Sequence, residues 1–387
     1  MGSFHSAIDE PVLKEKTKIC HLSTVHLPFD TRVFYRECIS LTKEYNVYLV
    51  GNYCEDKEVS GVHIKAITPY SSRLKRILVN IPRVLFKAFR IQASLYHIHD
   101  PELIPVGILL RLTGKKVIYD IHENYSQVIK LKQWVPFPAL AIATYKIVEW
   151  IGLKVFSGII LSEDSYKKLY PKTQTVTIHN FAFIEELRHF RVANRHQLPH
   201  RLFYMGSLDE LYCIMEMIEA IAILHKRGIN LSCVLMGSMS KDIRLKLENS
   251  TIYKSIQHLI EFKPYVKSAE GYALSVNATI GLCLVNKNAN SYESYPRKMF
   301  EYMSIGLPFI ISDFPLYKNV AEKHQCGVCV NPSSPTEIAA DIEKMMSDSS
   351  RREQMAINGM KAAEEHFDWK NEEVKLLDLY RNILRNI

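Results

Sequence analysis

Two glutamates eight positions apart, Glu293 and Glu301, bracket the part of this sequence richest in groups able to hold an anion. Between them run Pro296, Arg297 and Lys298, and beyond them stand Gly306 and Pro308. Proline suits the first turn of a helix and glycine its C-terminal cap, so the pattern predicts a helix over 296–305, entered from a loop. The free N–H groups and partial positive charge at such an N-terminus favour a diphosphate. Lys298 in the first turn adds a full charge, with Arg297 beside it. Glu301, one turn further along the same face, is placed to accept hydrogen bonds from vicinal hydroxyls such as those of a ribose. Glu293, on the loop, is within reach of a sugar ring. Spacing alone also allows Glu301 to pair with Arg297 or Lys298 on a solvated helix face.

The elements that must position this segment alternate along the whole chain. Strand-like apolar runs are expected at 18–25, 46–51, 63–67, 95–98, 116–121, 158–161 and 175–178, then at 201–205, 231–236, 278–285, 308–312 and 328–330. Amphipathic stretches such as 210–227 and 335–348 separate them. Alternation of this kind means βαβ units and parallel sheets covered by helices. At 387 residues the chain is long for one domain. A break in strand character near 179–195 divides it into two Rossmann-like, doubly wound α/β domains, 1–185 and 186–368, with a last helix over 369–387 returning to the first. Ligands of such sheets bind beyond the carboxyl ends of the strands, here in a cleft where the two domains face each other.

Three further segments end strands in polar residues: Ser23 to Arg32, Tyr96 to Glu102 and Val117 to Asn124. Together with the Glu293–Glu301 segment they resemble the retaining GT-B glycosyltransferases of family 4, the group 1 transferases, over about residues 18–380. Glu293 and Glu301 match that family's Glu-x7-Glu motif, and Pro296-x-Lys298-x-x-Glu301-Tyr302 matches a variant within it. The resemblance implies that Glu301 binds the nucleotide ribose, that Lys298 contacts the diphosphate and that Glu293 lies beside the donor sugar. It puts His122 in the place of the family's active-site histidine, and it turns the loop of His26, Asp30 and Arg32, with His99 and Asp100, toward the acceptor. Gly206 and Ser207, opening the second half, fall where the family binds the diphosphate. There the chain departs from the pattern: Ser207 and Tyr212 stand where basic residues are usual, which leaves Lys298 and Arg297 with more of the phosphate charge.

The implied donor is a nucleotide sugar, UDP- or GDP-linked, consumed as substrate with no resident cofactor. The implied acceptor is a saccharide or a lipid-linked saccharide. No Asp-x-Asp pair suggests a metal. Two other readings compete with transfer: a non-catalytic scaffold of the same fold in an envelope-assembly complex, and a nucleotide-sugar epimerase.

Charge is unevenly placed. Thirteen Lys and Arg against five Asp and Glu lie between 71 and 157, matching the formal net charge of +8 of the whole chain. Within it, 71–92 holds six basic residues and no acid, with Leu74, Ile77, Leu78, Ile81, Leu85 and Phe89 at helical spacing. Such a face suits an anionic membrane surface, although the apolar stripe can equally pack on its own domain. Nucleic acid is not an expected partner, because interleaved aromatics and a recognition motif are missing. The eight cysteines are scattered, and the Cys326-x-x-Cys329 pair falls in a strand-like run, so a reducing cytoplasm is expected. Residues 1–10 lack the apolar core of a leader, though 1–6 match a myristoylation pattern. No apolar run is long enough to span a bilayer, so the protein is expected in the cytoplasm and peripheral on the inner membrane face.

Overall fold

The computed structural model describes residues 16–70, 72–131, 135, 137–266, 268–288 and 291–385. The myristoylation-like pattern at 1–6 lies outside them. The described residues form two compact α/β units. The first takes those within Met1–Ile121, Ala139–Ile160 and Leu376–Ile387, the second those within His122–Pro138 and Leu161–Lys375.

An eight-stranded sheet is built from β1 (Lys18–Leu22), β2 (Asn46–Asn52), β3 (Lys57–Val59), β4 (Val62–Ile67), β5 (Leu95–Ile98), β6 (Lys116–Ile121), β7 (Gly158–Leu161) and β8 (Val176–Thr177). Its order is β3-β4-β2-β1-β5-β6-β7-β8, and β3 is an antiparallel edge on β4. The six-stranded sheet contains β9 (Arg201–Met205), β10 (Ser232–Met236), β11 (Ile260–Lys263), β12 (Ile280–Cys283), β13 (Phe309–Ser312) and β14 (Gly327–Val330). All its pairings are parallel, in the order β11-β10-β9-β12-β13-β14. That is the doubly wound order 3-2-1-4-5-6, whose strand sequence reverses between β9 and β12.

Both faces of the second sheet are covered, and the strands show it residue by residue. Leu202 and Tyr204 of β9 join one apolar cluster, with Cys233 and Leu235 of β10. Phe203, Val234 and Met236, pointing the other way, join a second. Alternate side chains of a strand leave opposite faces, so a strand buried on both must be apolar throughout. The continuous apolar runs are therefore legible as parallel strands. β3 and β11 escape such a reading because they are short edges with half-exposed, charged residues such as Lys57, Glu58 and Glu261.

The turn after β9 and the turn after β10 touch. Gly206 N–H donates to Met236 O at 2.9 Å and Leu208 N–H to Ser238 O at 2.8 Å. A Cβ on Gly237 would lie 1.6 Å from the Gly206 carbonyl oxygen, a backbone atom with no room to yield. Gly237→Ala is therefore expected to destabilise the second unit by about 3 kcal/mol or more, the scale of a forced overpacking. Chemical denaturation followed by tryptophan-independent circular dichroism checks this, and an unchanged midpoint would contradict it.

Cys326 and Cys329 are free thiols, the former buried and the latter inside β14, and burial pushes both up to about 12. Both thus stay protonated, as small apolar side chains do.

Candidate active site

The reversal between β9 and β12 opens a cavity of about 720 Å³ whose lining residues all belong to the second unit. Its walls are the turn Met205–Ser207 after β9, Met236 and Gly237 after β10, and the loop and helix after β12. The helix runs Arg297–Ser304 with Pro296 as its N-cap, one residue later than the sequence suggests, and Gly306 follows at a φ of 64°. The loop leading into it is pinned from several sides. Tyr317 Oη donates to Ser291 O at 2.5 Å, Ser291 Oγ to Asn286 O at 2.9 Å, and Tyr295 N–H to Glu163 Oε1 at 3.1 Å. A helix start held this firmly presents its N–H groups at a fixed place.

Arg297, Lys298 and Glu301 all line this cavity, as do Gly206 and Ser207. The Lys298 ammonium lies 4.1 Å from the centre of the Tyr204 ring and 4.7 Å from that of Tyr212. Burial pulls its pKa below the usual lysine value. A cation over aromatic faces is held by about 1–2 kcal/mol, much less than a buried ion pair would demand to release it. The charge is thus available to an incoming anion. Tyr212, the residue found where a base is usual, supplies a ring to Lys298, and Tyr204 Oη donates to Ser207 O at 2.8 Å.

Glu301 is buried rather than on a solvated face. Its Oε1 accepts from Arg297 Nε at 2.9 Å, and its Oε2 accepts from Tyr272 Oη. The Arg297 pairing that spacing allows does occur, but in the cavity wall. Each carboxylate oxygen keeps a second lone pair for another donor.

Glu293 is turned elsewhere. Its carboxylate meets Lys168 Nζ at 2.5 Å, and it lines a neighbouring depression of about 410 Å³ with Gln127, Lys287, Asn288 and Tyr292. It does not line the larger cavity, whose wall Glu123 and Asn180 join instead. His122 is half-buried, and its backbone carbonyl accepts from Ser162 Oγ at 2.9 Å. Sequence reasoning passed over Tyr204, Tyr272, Glu123 and Asn180. Tyr204, Glu123 and Asn180 lie at or near strand ends, while Tyr272 reaches the site from the helix Ser268–Ala273.

The residues expected toward the acceptor lie in the first unit. Asp30 caps the helix Thr31–Cys38, accepting from Arg32 N–H at 2.8 Å and Val33 N–H at 2.9 Å. His26 Nδ1 is 3.3 Å from Asp100 Oδ1, and its side chain remains partly exposed. Burial disfavours its charge, but the hydrogen bond and charge of Asp100, with Asp30 and Asp120, raise its pKa overall. Asp100 is buried and accepts from Thr24 N–H at 2.6 Å, Val25 N–H at 3.2 Å and Ser23 Oγ at 3.0 Å. Arg32 grips Asp120 bidentately, both distances 3.0 Å, and His99 is wholly buried. Arg32, His99 and Asp100 are all buried, and Asp100 pins the backbone of Thr24 and Val25.

The basic stretch forms the helical segments Arg73–Lys75, Arg76–Asn80 and Ile81–Ile91. Pro82 sits in the first turn of the last, where its missing N–H is harmless. Val84 and Ala88 are the apolar side chains it buries, while Leu74, Leu78, Phe86 and Phe89 are exposed. The stripe read from the sequence therefore does not pack wholly on its own domain. Arg76 is bound bidentately by Glu102, at 2.9 and 2.8 Å. Among the described residues no helix is long and apolar enough to cross a membrane.

Two doubly wound α/β units in one chain give it a GT-B fold. Residues 188–362 match the family of glycosyl transferases group 1. A curated relative, the uncharacterised glycosyltransferase MJ1607 of Methanocaldococcus jannaschii, is 23% identical over 180 residues, 46% of this chain and 44% of that protein. The chain thus matches less than half the length of that relative. Among solved structures, the sucrose-phosphate synthase of Thermosynechococcus elongatus superposes with a TM-score of 0.75 at 17% identity, over 96% of this chain and 100% of that one. Anabaena HepE in complex with UDP gives 0.70 at 13%, over 95% and 100%. At these identities the likeness is one of fold.

Proposed function

We propose that this chain transfers a sugar from a UDP- or GDP-linked donor to a saccharide or lipid-linked saccharide, with retention at the anomeric carbon. The reading makes it a family 4 enzyme of cell-surface polysaccharide synthesis, with the donor on the second domain (186–368) and the acceptor on the first (1–185). One observation carries it: a helix start, a cation over two aromatic rings and a buried carboxylate share a single cavity at the sheet's switch point. These are the groups that a nucleoside diphosphate demands. HepE, a structure of the same fold, is described in complex with UDP.

In the proposed reaction the bond from the anomeric carbon to the diphosphate oxygen breaks and one to the acceptor oxygen forms on the same face. The acceptor's hydroxyl proton leaves with the departing phosphate. Lys298, Arg297 and the helix N–H groups stabilise the charge growing on that phosphate, so no divalent ion is required. Glu301 holds the ribose, Gly206 lets the diphosphate approach the backbone, and Ser207 donates to it. His122 orients the donor sugar, and Glu293 comes beside the sugar once Lys168 releases it. Exposed Leu74, Leu78 and Phe86, beside exposed Lys75, Arg83 and Arg90, suit an anionic membrane surface on the cytoplasmic side.

A melting-temperature screen against UDP, GDP, ADP and CMP tests the donor site. At a hundredfold excess over Kd, the matching nucleotide is expected to raise Tm by about 5 °C or more. If all four leave Tm unchanged, the proposal loses its basis.

A further inference from the structure

A second cluster of chemically able side chains lies in the first unit, at the reversal of strand order between β1 and β5. His21 of β1 and His97 of β5 are register partners across the two strands, and His99 follows the end of β5. Glu37 reaches them from the helix Thr31–Cys38. All four are fully buried. One ligand atom from each lies within 4.8 Å of those from the others.

One feature sets this group apart from a satisfied polar core: neither oxygen of Glu37 accepts a hydrogen bond. Glu37 Oε1 is 3.0 Å from Arg32 Nε, but that N–H is directed at Asp120 Oδ2, also at 3.0 Å. Arg32 thus hydrogen-bonds Asp120 rather than Glu37, while burial and the neighbouring Asp120 push the Glu37 carboxyl well above the usual carboxylate range. Glu37 Oε2 meanwhile stands 3.9 Å from both His97 Nδ1 and His99 Nε2, too far for hydrogen bonds and about right for a shared guest. Buried charges persist when they are paired or bound to a metal.

We propose that His21, His97, His99 and Glu37 bind one divalent transition-metal ion of the zinc class, as a closed structural site. Four ligands at about 2.0–2.1 Å in a tetrahedron stand about 3.3 Å apart. The 2.9 Å between His21 Nδ1 and His99 Nε2 and the 3.9 Å distances bracket that value. Sub-ångström shifts of side chains complete the geometry. The far nitrogens of two ligands already face suitable partners. With His99 bound through Nε2, its Nδ1 faces Asp120 Oδ2 at 3.5 Å, and with His21 bound through Nδ1, its Nε2 meets Tyr380 Oη at 3.2 Å. Outer partners of this kind fix the tautomer and orientation of metal-bound imidazoles. His97 offers Nδ1, now 2.9 Å from Tyr380 Oη, which then keeps His21 as its partner. Four protein ligands leave no open position, so the ion serves structure. It ties β1, β5 and the helix Thr31–Cys38 to Tyr380 of the last helix, independently of the reading given to the second unit.

The test uses tag-free full-length protein carrying Cys54→Ser, since Cys54 is an exposed thiol able to bind metal itself. After chelator treatment it is given Zn²⁺ or Co²⁺ and desalted. The expected result is one ion per chain by elemental analysis, the intense visible bands of four-coordinate Co²⁺, and a Tm about 5 °C higher with Zn²⁺. Glu37→Gln and His97→Ala are each expected to weaken binding at least about tenfold. Substoichiometric metal, a weak six-coordinate Co²⁺ spectrum, or unchanged affinity in both folded variants overturns the proposal. Should a variant not fold, stoichiometry and spectrum of the unsubstituted site decide.

Discussion

Lys298→Ala is expected to lower turnover by about a thousandfold, some 4 kcal/mol of transition-state stabilisation, while leaving the protein folded. The two halves of this expectation rest on one geometry. The ammonium lies over the rings of Tyr204 and Tyr212. Its burial depresses its pKa, which means that the charged form is held at a cost in the empty cavity. Removing it therefore relieves desolvation and gives up about 1–2 kcal/mol of ring contact, so stability changes little. In the proposed reaction the same charge sits where the leaving diphosphate becomes more negative, with Arg297 the other cation lining the cavity. Activity also needs the cation, so it is expected to fall as pH rises through the depressed lysine pKa, earlier than for an ordinary lysine. Steady-state kinetics with the donor identified by the melting screen measures both. A variant within tenfold of the unsubstituted enzyme would remove Lys298 from the mechanism.

Glu301→Ala is expected to raise the donor KM by about thirtyfold, equivalent to about 2 kcal/mol, with a smaller change in kcat and none in the acceptor KM. Unlike Lys298, this carboxylate also supports structure. Arg297 Nε and Tyr272 Oη both donate to it, and alanine strands both donors. A buried unpaired donor costs about 1–3 kcal/mol, so Tm falls as well. Glu301→Gln separates the two roles. The amide keeps one acceptor oxygen for Arg297 or Tyr272, recovering part of the stability. It offers a ribose diol fewer lone pairs, so donor affinity stays impaired. A glutamine variant with full donor affinity, or an alanine variant whose loss falls on kcat alone, would place Glu301 outside the ribose site.

Much of the second domain was legible without coordinates. Strands buried on both faces must be continuously apolar, and they alternate with amphipathic helices, so the doubly wound class follows from period alone. Proline, lysine, glutamate and glycine at set offsets locate the helix over Arg297–Ser304, because capping is a local matter of backbone geometry. The edges β3 and β11 were less visible, since a strand covered on one side needs no apolar run.

What sequence spacing fixes is which residues share a helix face or a strand end; it does not say what comes to meet them from a distance in the chain. Lys298 finds Tyr204 ninety-four positions away, and Glu301 finds Tyr272 twenty-nine away. Glu293 turns to Lys168 instead of the cavity. The same holds in the first unit, where His99, Asp100 and Arg32 are buried and three histidines meet Glu37. Local pattern determined the scaffold and the helix start. Only the order in which the strands lie side by side decided which charges are neighbours, because sheet pairing brings together side chains whose separation along the chain carries no periodic signal.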